Sequence, residues 1–443
     1  MALTGKKAVI SWAFYDWANS AFATTIMAGF FPIFFKQYWS TGVDATVSTV
    51  RLAMGTSLAG IVIALSAPVL GAIADRGTAK KRFLVFFAFL GAIVTSSLFF
   101  VPQGFWMLAM CIYVLAVIGF SSGNTFYDSL LPVVSPPGRM DFISALGFAF
   151  GYLGGGMLFA LNVWMTLRPE TFGLSHASEA VRISFLSVGI WWMVFTLPLV
   201  YFVRERTTTG AATGMNMVKA GFGQLRQTFT EIRRQRMIFL FLAAYWLYID
   251  GVDTIVRMAV DYGLSIGFKA TDLIVALLIT QFVGFPCAIG FGWLGEKIGA
   301  KKAIFIAIGV YLFISVWGAF IGSTREFYLL AVIIGFVQGG IQALSRSFYA
   351  RIIPEGKSAE YFGFYNMLGK FAAIIGPVLI GSVGVIMRSL GFGGTTASRI
   401  GITSISLLFL AGGTLLFFVD EERGIREAAR LRDRIPETKA IPG

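Results

Sequence analysis

The chain has 443 residues, of which 56% are hydrophobic and only 13% are charged. Soluble proteins carry about 25% charged residues, so this composition excludes an ordinary soluble domain and indicates an integral membrane protein. The net charge of +13 arises mainly from bases in the connections between apolar segments. That distribution favours orientation in a membrane over binding of nucleic acid.

Twelve apolar segments are long enough to cross a bilayer as helices, which takes about 20 residues each. In chain order they are residues 10–36, 50–74, 83–101, 105–131, 141–166, 182–203, 237–261, 270–294, 303–321, 327–352, 360–387 and 398–419. The first segment has no cleavage site after a short apolar core, so we expect it to be retained and not removed as a signal peptide. The sequence therefore predicts an all-α integral membrane protein with twelve transmembrane helices.

The connections between these segments differ in charge. About 25 of the 36 Lys and Arg residues lie at the N-terminus, in loops after even-numbered segments or in the C-terminal tail, and about 8 lie in the other loops. Because positively charged loops stay in the cytoplasm, both termini are predicted to be cytoplasmic. We expect a multi-pass protein of the plasma membrane, which in a bacterium is the inner membrane.

The longest basic connection divides the chain into two halves of six segments each. We expect an N-terminal six-helix bundle at 1–203, a cytoplasmic linker at 204–236, a C-terminal six-helix bundle at 237–419 and a cytoplasmic tail at 420–443. Residues 221–236 mix apolar and basic side chains and could lie as an amphipathic helix on the anionic leaflet. The tail is charged at helical spacing and is predicted to form a solvated helix.

Two loops, one in each half, share a pattern of charges. The first contains Gly71, Asp75, Arg76 and the run Lys80-Lys81-Arg82, and the second contains Gly292, Glu296, Lys297 and the pair Lys301-Lys302. In each loop an acid follows the glycine by four residues, a base follows the acid directly, and a lysine pair lies four and five residues beyond that base. Two copies with matching spacing indicate an internally duplicated membrane protein.

The first loop resembles the signature loop of the major facilitator superfamily, and the second lies where that family repeats it. The resemblance implies two six-helix bundles related by a pseudo-twofold axis along the membrane normal, with spans 1, 4, 7 and 10 around a central cavity. It also implies that the loops act as a conformational gate on the cytoplasmic side. The candidate gate residues are Gly71, Asp75, Arg76, Glu296 and Lys297, with Gly376 and Pro377 at a predicted kink in span eleven.

Three further segments resemble one branch of that superfamily, the vacuole effluxer-like proteins. They are 12–21, which contains Trp-Ala-Phe-Tyr-Asp, 339–347, which contains Gln-Ala-Leu-Ser-Arg, and 362–370, which ends in Leu-Gly-Lys. The branch includes fungal autophagy-linked proteins that release amino acids from the vacuole, and bacterial members without an assigned substrate. On this basis we take as candidate site residues Asp16, Asn19, Asp250, Gln342, Arg346 and Lys370.

Charged residues inside the apolar segments are few, and most fall on the spans predicted to line the cavity. A charge within the bilayer costs about 2.5–3.5 kcal/mol, so each should face water or a partner. This criterion selects Asp16, Asp128, Asp250, Asp253, Arg257, Arg346 and Lys370. Two polar stripes at helical spacing, one with Asp250, Asp253 and Arg257 and one with Gln342 and Arg346, are best explained by a wet central path.

A purely structural role remains open for some of these residues. Asp253 and Arg257 could pair with each other at i, i+4 and only hold helices in register. Asp128 could lock helix ends, with Arg346 as its partner. The functional interpretation is favoured for Asp16, Asp250 and Lys370.

These features predict a secondary active transporter that moves a small polar or zwitterionic solute, such as an amino acid, by alternating access. Acids at Asp16 and Asp250 and bases at Arg346 and Lys370 could hold an ammonium and a carboxylate at opposite ends of a site, and an acid could also carry a coupling proton. The alternatives are an exporter of amphiphiles, such as drugs or lysolipids, and a membrane receptor that does not transport.

The sequence contains no phosphate-binding nucleotide loop, no nucleophile elbow around a serine and no spacing typical of a metal site. Its single histidine, His176, and its two cysteines form no cluster. We therefore expect no enzyme activity, no cofactor, no metal and no nucleic-acid partner. The expected partners are a small-molecule solute, the lipid bilayer and a coupling proton, and we expect a monomer.

Overall fold

The computed structural model describes residues 5–77, 79–205, 228, 230–233, 235–265, 268–371 and 375–432. Side chains are not described at 45–46, 76–77, 257–265, 270, 370–371, 395 and 431–432. Within the described ranges, all regular secondary structure is helical. The predicted amphipathic segment 221–236 lies largely outside these residues, as does the end of the tail from residue 433.

The first bundle consists of six long helical segments. They are α1 (Lys6–Trp39), α2 (Ala45–Gly77), α3 (Lys80–Ser97), α4 (Trp106–Ser129), α5 (Met140–Leu167) and α6 (Ala177–Phe202). The first of these is α-helical over Lys6–Ala21 and Phe31–Phe34, with wider π-helical turns over Phe22–Phe30 and Phe35–Trp39.

The second bundle follows later in the chain. Its helices are α7 (Arg236–Ser265), α8 (Ala270–Ile298), α9 (Ala300–Trp317), α10 (Thr324–Ile352), α11 (Ser358–Phe371), α12 (Ile375–Ser389), α13 (Gly394–Thr403) and α14 (Ser406–Phe417), followed by α15 (Glu421–Arg432). The predicted span 360–387 corresponds to α11 and α12, and the predicted span 398–419 corresponds to α13 and α14.

Eleven helical segments of the described chain are long and apolar enough to cross a membrane. They comprise α1 to α10 and the combined segment Thr396–Phe417, and α12 is an additional, shorter apolar helix. The prediction of an all-α integral membrane protein is confirmed. The boundaries of the linker, the bundles and the tail stay predictions.

The tail helix α15 packs against the ends of α7 and α10. Glu421 forms an ion pair with Arg351 of α10, with 2.6 Å between Oε1 and Nε, and the Glu427 carboxylate accepts a hydrogen bond from the backbone N–H of Met237. Gly424 lies against the side chain of Ile352. The predicted solvated helix is therefore solvent-exposed on one face only.

Aromatic contacts fix α1 against α4 and so position the polar residues of both helices. The rings of Trp12 and Tyr127 stack with 4.3 Å between their centroids, and the Trp12 indole N–H donates to the Tyr127 carbonyl oxygen at 3.0 Å. Stacked aromatic pairs contribute about 0.5–1.5 kcal/mol beyond the burial of their area. Asp16 follows Trp12 by one helical turn and consequently faces the side chains of α4.

Candidate functional site

A cavity of about 180 Å³ lies between the two bundles. It is lined by residues of α1, α4, α5, α7, α10 and α11, namely Asp16, Asn124, Tyr127, Asp128, Phe148, Tyr245, Ile249, Asp253, Gln342, Arg346, Tyr365, Asn366 and Gly369. Five of the predicted site residues are among them: Asp16, Asp128, Asp253, Gln342 and Arg346. Because an engineered protein cavity of about 150 Å³ binds benzene, this cavity has room for a small solute.

Arg346 of α10 crosses from the second bundle to the first at one wall of the cavity. Its Nη1 lies 2.9 Å from Asp128 Oδ1. Its Nε donates to Ser144 Oγ at 2.9 Å and its Nη2 to the Ser144 carbonyl oxygen at 2.8 Å. The side chain is only 2% exposed, and a buried charge is tolerated when it is paired and hydrogen-bonded. The Asp128–Arg346 pair considered from the sequence is therefore present, and it links the bundles.

Asp16 lies beside this pair and is held more loosely. Its Oδ2 is 4.0 Å from Arg346 Nη1 and accepts a hydrogen bond from the Tyr127 hydroxyl at 3.4 Å. Its Oδ1 accepts from Ser20 Oγ at 3.2 Å. Hydrogen bonds from hydroxyl groups are usually 2.5–3.0 Å long, so the carboxylate retains capacity for a closer donor.

Aromatic rings enclose the guanidinium group of Arg346. Its Cζ lies 4.3 Å from the ring centroid of Phe148, 5.0 Å from that of Trp12 and 5.2 Å from that of Tyr127. Rings at these distances attract a cation through their quadrupoles. Sequence reasoning missed these rings because phenylalanine and tyrosine inside an apolar span look the same whether they face lipid, core or cavity.

The amide-bearing residues around the cavity were found only in part. Gln342 was predicted and lines the cavity, whereas Asn366, which donates to Asp128 Oδ2 at 3.1 Å, was missed. Asn19 was predicted, but it lies behind the wall and donates to Asn124, which does line the cavity. In the sequence, the only indication that Asn124 lines the cavity is its position one helical turn before Asp128, which places both residues on the same helix face.

Asp250 was predicted to share the site with Asp16, but it is not among the cavity-lining residues. Its carboxylate accepts hydrogen bonds from the backbone N–H groups of Ile375 at 3.0 Å and Gly376 at 2.9 Å. These groups begin α12, which also contains Pro377 in its first turn. Burial against a helix end instead of against water explains how this carboxylate is accommodated inside the bundle.

Two predicted site residues have side chains outside the described part of the structure. These are Arg257 and Lys370, so the Asp253–Arg257 pair and the role of Lys370 stay predictions. Gly369 lines the cavity, which places the α11 backbone next to Lys370 at the cavity wall.

The first charged loop contacts the second bundle through Asp75. Its Oδ1 lies 2.9 Å from Lys80 Nζ and accepts from the Ala359 N–H at 3.2 Å, and its Oδ2 accepts from the Glu360 N–H at 2.8 Å. The carboxylate thus caps the start of α11. A Cβ added at Gly71 would lie 2.3 Å from the Ala359 carbonyl oxygen, so only glycine permits this approach of α2 and α11.

The second charged loop contacts the first bundle through Glu296. Its Oε1 lies 3.2 Å from Arg139 Nε, whereas Lys297 places its Nζ 4.1 Å from the ring centroid of Trp293 in its own helix. The side chain of Arg76, the counterpart of Lys297, lies outside the described residues.

A further contact between the bundles lies on the same side of the molecule. Asp141 at the start of α5 binds Arg351 and Ser347 of α10. From the sequence, Asp141 is recognisable only as the residue that opens span five.

The comparisons with known proteins agree with this architecture. Residues 40–429 match the family described as "Vacuole effluxer Atg22 like". The chain is 38% identical over 415 residues to the "Uncharacterized MFS-type transporter YxiO" of Bacillus subtilis, which covers 93% of this chain and 94% of that relative. It is 24% identical over 562 residues to "Autophagy-related protein 22" of Coccidioides immitis, covering 98% of this chain and 90% of the relative.

Solved structures with little sequence identity share the fold. The proton:xylose symporter XylE, bound to 6-bromo-6-deoxy-D-glucose, superposes with a TM-score of 0.67 at 12% identity, covering 96% of this chain and 97% of the other. The transporter FucP in its outward conformation gives a TM-score of 0.63 at 14% identity, covering 95% and 100%. The predicted major facilitator fold is confirmed, and the protein is a multi-pass membrane transporter and not an enzyme. The chain belongs to the vacuole effluxer-like family of the major facilitator superfamily.

Proposed function

We propose that this transporter moves a small polar or zwitterionic solute, with amino acids as the first candidates, by alternating access of one central site. The observation that carries the proposal is a single cavity between the bundles that holds carboxylates, amides and a guanidinium group. The first bundle contributes Asp16 and Asp128, and the second contributes Asp253 and Arg346. The resemblance to effluxers of amino acids favours that class of solute.

A zwitterion would bind with its charged ends on different bundles. Its ammonium group would lie near Asp16, where the present hydrogen bonds are long, with Asp253 across the cavity. Its carboxylate would lie near Arg346, and the family resemblance adds Lys370. A solute held by both bundles has a different affinity for each arrangement of them, which is what links binding to a conformational change.

The contacts that close the charged-loop side are the proposed gate. Opening the cavity toward that side, which is predicted to be cytoplasmic, requires separation of Asp128 from Arg346 and of Asp75 from the start of α11. A solute carboxylate near Arg346 would compete with Asp128 for the guanidinium group. Solute binding would therefore weaken one of the contacts that hold this side shut.

Flux measurements across liposomes test the proposal. Purified protein is reconstituted, and counterflow of labelled amino acids is measured for the wild type, Asp16→Asn and Glu422→Gln. Glu422 lies on an exposed face of α15. Glu422→Gln is therefore the control, since it also removes one carboxylate charge but lies far from the cavity in the fold. We expect saturable counterflow of at least one amino acid by the wild type. Counterflow should decrease about tenfold or more in Asp16→Asn, because the solute loses one charge-assisted contact. It should not change in Glu422→Gln. Equal counterflow in all three proteins would contradict the site.

Proton coupling is proposed for Asp16, because a carboxylate with loosely held partners can exchange a proton when a solute arrives. Accumulation of labelled solute is compared in liposomes with and without an imposed proton gradient. We expect accumulation above equilibrium only with the gradient, and we expect Asp16→Asn to abolish it while leaving residual downhill exchange. Equal accumulation under both conditions would exclude coupling.

The aromatic wall of the cavity favours a second candidate, an exporter of amphiphiles. Tyr127, Phe148, Tyr245 and Tyr365 offer apolar surface next to the charged groups. Thermal stabilisation of the detergent-purified protein by an amino-acid panel is compared with stabilisation by lysolipids below their micellar concentration. Stabilisation by lysolipids alone would favour the amphiphile exporter over the polar-solute transporter.

A further inference from the structure

Asp250 is a fully buried carboxylate of α7 that faces a helix end instead of the cavity. Its Oδ2 accepts the Ile375 N–H at 3.0 Å, and its Oδ1 accepts the Gly376 N–H at 2.9 Å. Thr254, one turn further along α7, donates its hydroxyl to Oδ1 at 3.1 Å. Both carboxylate oxygens are therefore engaged by the protein itself.

The identity of the two backbone donors explains why an acid is needed at this position. Ile375 and Gly376 are the first residues of α12, and the first N–H groups of a helix have no acceptor within the helix. Inside a membrane, water does not satisfy such groups, so the protein must supply the acceptor. A carboxylate suits a helix start best, because the charge also interacts favourably with the helix dipole.

The contact surface leaves no space for a larger residue in place of Gly376. A Cβ added there would lie 1.9 Å from Thr254 Oγ1 and 2.9 Å from Asp250 Oδ1. Pro377 follows in the first turn of α12, where a missing N–H has no consequence for helix bonding. The Gly376-Pro377 pair, predicted as a kink, is thus also the place where α12 docks on α7.

The helices joined at this place connect the cavity to the gate. Helix α7 contributes Tyr245, Ile249 and Asp253 to the cavity wall, and α11, which ends four residues before α12 begins, contributes Tyr365 and Asn366. The other end of α11 is capped by Asp75 of the first bundle. Fixing the start of α12 to α7 would therefore restrict where α11 can end, between the cavity and the proposed gate.

We propose that Asp250 is a positioning residue: its carboxylate anchors the start of α12 to α7 and thereby holds α11 against the cavity, without binding the solute itself. The part of this inference that concerns transport rests on the proposed function above. The anchoring itself does not, because it is defined by hydrogen bonds within the protein. Asp253, one turn away on the same helix, lines the cavity and provides the contrast.

Amide hydrogen exchange, measured without any solute, tests the anchor. In Asp250→Asn the side chain has one acceptor oxygen, and its NH₂ group faces one of the two backbone donors. We expect exchange of the first-turn amides of α12 to be about tenfold or more faster than in the wild type, since these amides lose their acceptor. Asp253→Asn should leave that exchange unchanged. Unchanged exchange in Asp250→Asn would overturn the proposal whatever the transported solute is.

A second pair of variants covers the case in which Asp250→Asn does not yield folded protein. Gly376→Ala places a methyl group against Thr254, whereas Gly381→Ala in the same helix meets open space. We expect faster exchange at the start of α12 in Gly376→Ala and wild-type exchange in Gly381→Ala. Equal exchange in the two alanine variants would likewise overturn the anchor.

Transport and binding then separate positioning from direct contact with the solute. With whichever solute the flux assay identifies, we expect Asp250→Asn to lower the maximal rate about tenfold while the Kd changes by less than about threefold. Asp253→Asn should weaken the Kd by about tenfold. A loss of affinity in Asp250→Asn as large as that in Asp253→Asn, with normal exchange of α12, would make Asp250 a solute ligand instead.

Discussion

The two charged loops have the same pattern in sequence, but their acids lie in different surroundings. The side chain of Asp75 in the first loop is 2% exposed, and its carboxylate pairs with Lys80 and accepts hydrogen bonds from two backbone N–H groups of α11. Glu296 in the second loop is 18% exposed, and its partner Arg139 is 55% exposed. Both contacts join the bundles on one side of the molecule, but the side chains of the first pair are more deeply buried than those of the second.

The lysine pairs explain part of this difference. In the first loop Lys80 binds Asp75, and Lys81 donates to the carbonyl oxygen of Val203 at the end of α6. In the second loop Lys301, the counterpart of Lys80, donates instead to the carbonyl oxygens of Phe417 and Val419 at the end of α14. Lys301 therefore caps the end of a helix and does not pair with Glu296. Glu296 pairs with the exposed Arg139 instead.

From this comparison we infer that the first loop contributes more than the second to the proposed gate on this side. Exposed ion pairs contribute about 0–1 kcal/mol because water and salt screen them. Breaking a buried pair by removing one partner costs about 3–5 kcal/mol, because the other charge is left uncompensated. A duplicated motif can therefore retain its spacing in both halves while the proposed gate depends mainly on one copy.

Asp75→Asn should have the largest effect. The substitution leaves Lys80 without its buried counter-charge and weakens the cap on α11, so we expect the closed state to lose about 3–5 kcal/mol relative to states open on this side. Transport should slow by about tenfold or more, because a transporter that rarely closes on this side seldom completes the transport cycle.

Distances between spin labels on the two bundles measure this shift directly. Labels at Arg82→Cys and Lys302→Cys lie at exposed starts of α3 and α9, in a background in which Cys111 and Cys287 are replaced by serine. In detergent or nanodiscs, Asp75→Asn should add a population at longer distance. An unchanged distance distribution would show that the Asp75 contact does not control closure.

Gly71→Ala should act in the same direction with a smaller effect. The new methyl group would lie 2.3 Å from the Ala359 carbonyl oxygen, so α2 and α11 must separate at the gate. Overpacking of this kind costs about 1–3 kcal/mol. Gly60→Ala is the control, because it lies in the same helix and meets open space. If both variants gave the same label distances, the close approach at Gly71 would have no part in the gate.

Sequence reasoning predicted the membrane spans, the fold and part of the site because these depend on signals that lie within one segment. Apolar length indicated the spans, and the cost of an intramembrane charge selected Asp16, Asp128 and Arg346, which do face one cavity. Aromatic wall residues such as Phe148 carry no equivalent signal. Their role depends on which way each helix is rotated in the bundle.

The pair Asp250 and Asp253 shows where such reasoning ends. The two acids are three residues apart on one stripe of α7, so helical periodicity assigns them the same face. Asp253 lines the cavity, whereas Asp250 meets the N–H groups of α12. Those donors belong to the backbone, which no side-chain pattern reveals, and the same holds for the backbone partners of Asp75.

Lys301→Gln should reduce stability without shifting the gate. The variant loses the charged donor that Phe417 and Val419 share at the end of α14, for which we expect a loss of about 1 kcal/mol. Lys302→Gln, at an exposed neighbouring position, is the control and should melt like the wild type. A shift of the label distances in Lys301→Gln, measured with the second label moved to another exposed site of α9, would place Lys301 in the gate after all.

Glu296→Gln should have the smallest effect of the series. The lost partner is an exposed arginine, so we expect at most about 1 kcal/mol at low salt and less at physiological ionic strength, because the pair is screened. Transport should change by less than about fivefold, and the difference from the wild type should shrink as salt is added. A salt-independent loss as large as that of Asp75→Asn would mean that both loops carry the gate equally, and burial would then be a poor guide to which copy of the motif matters.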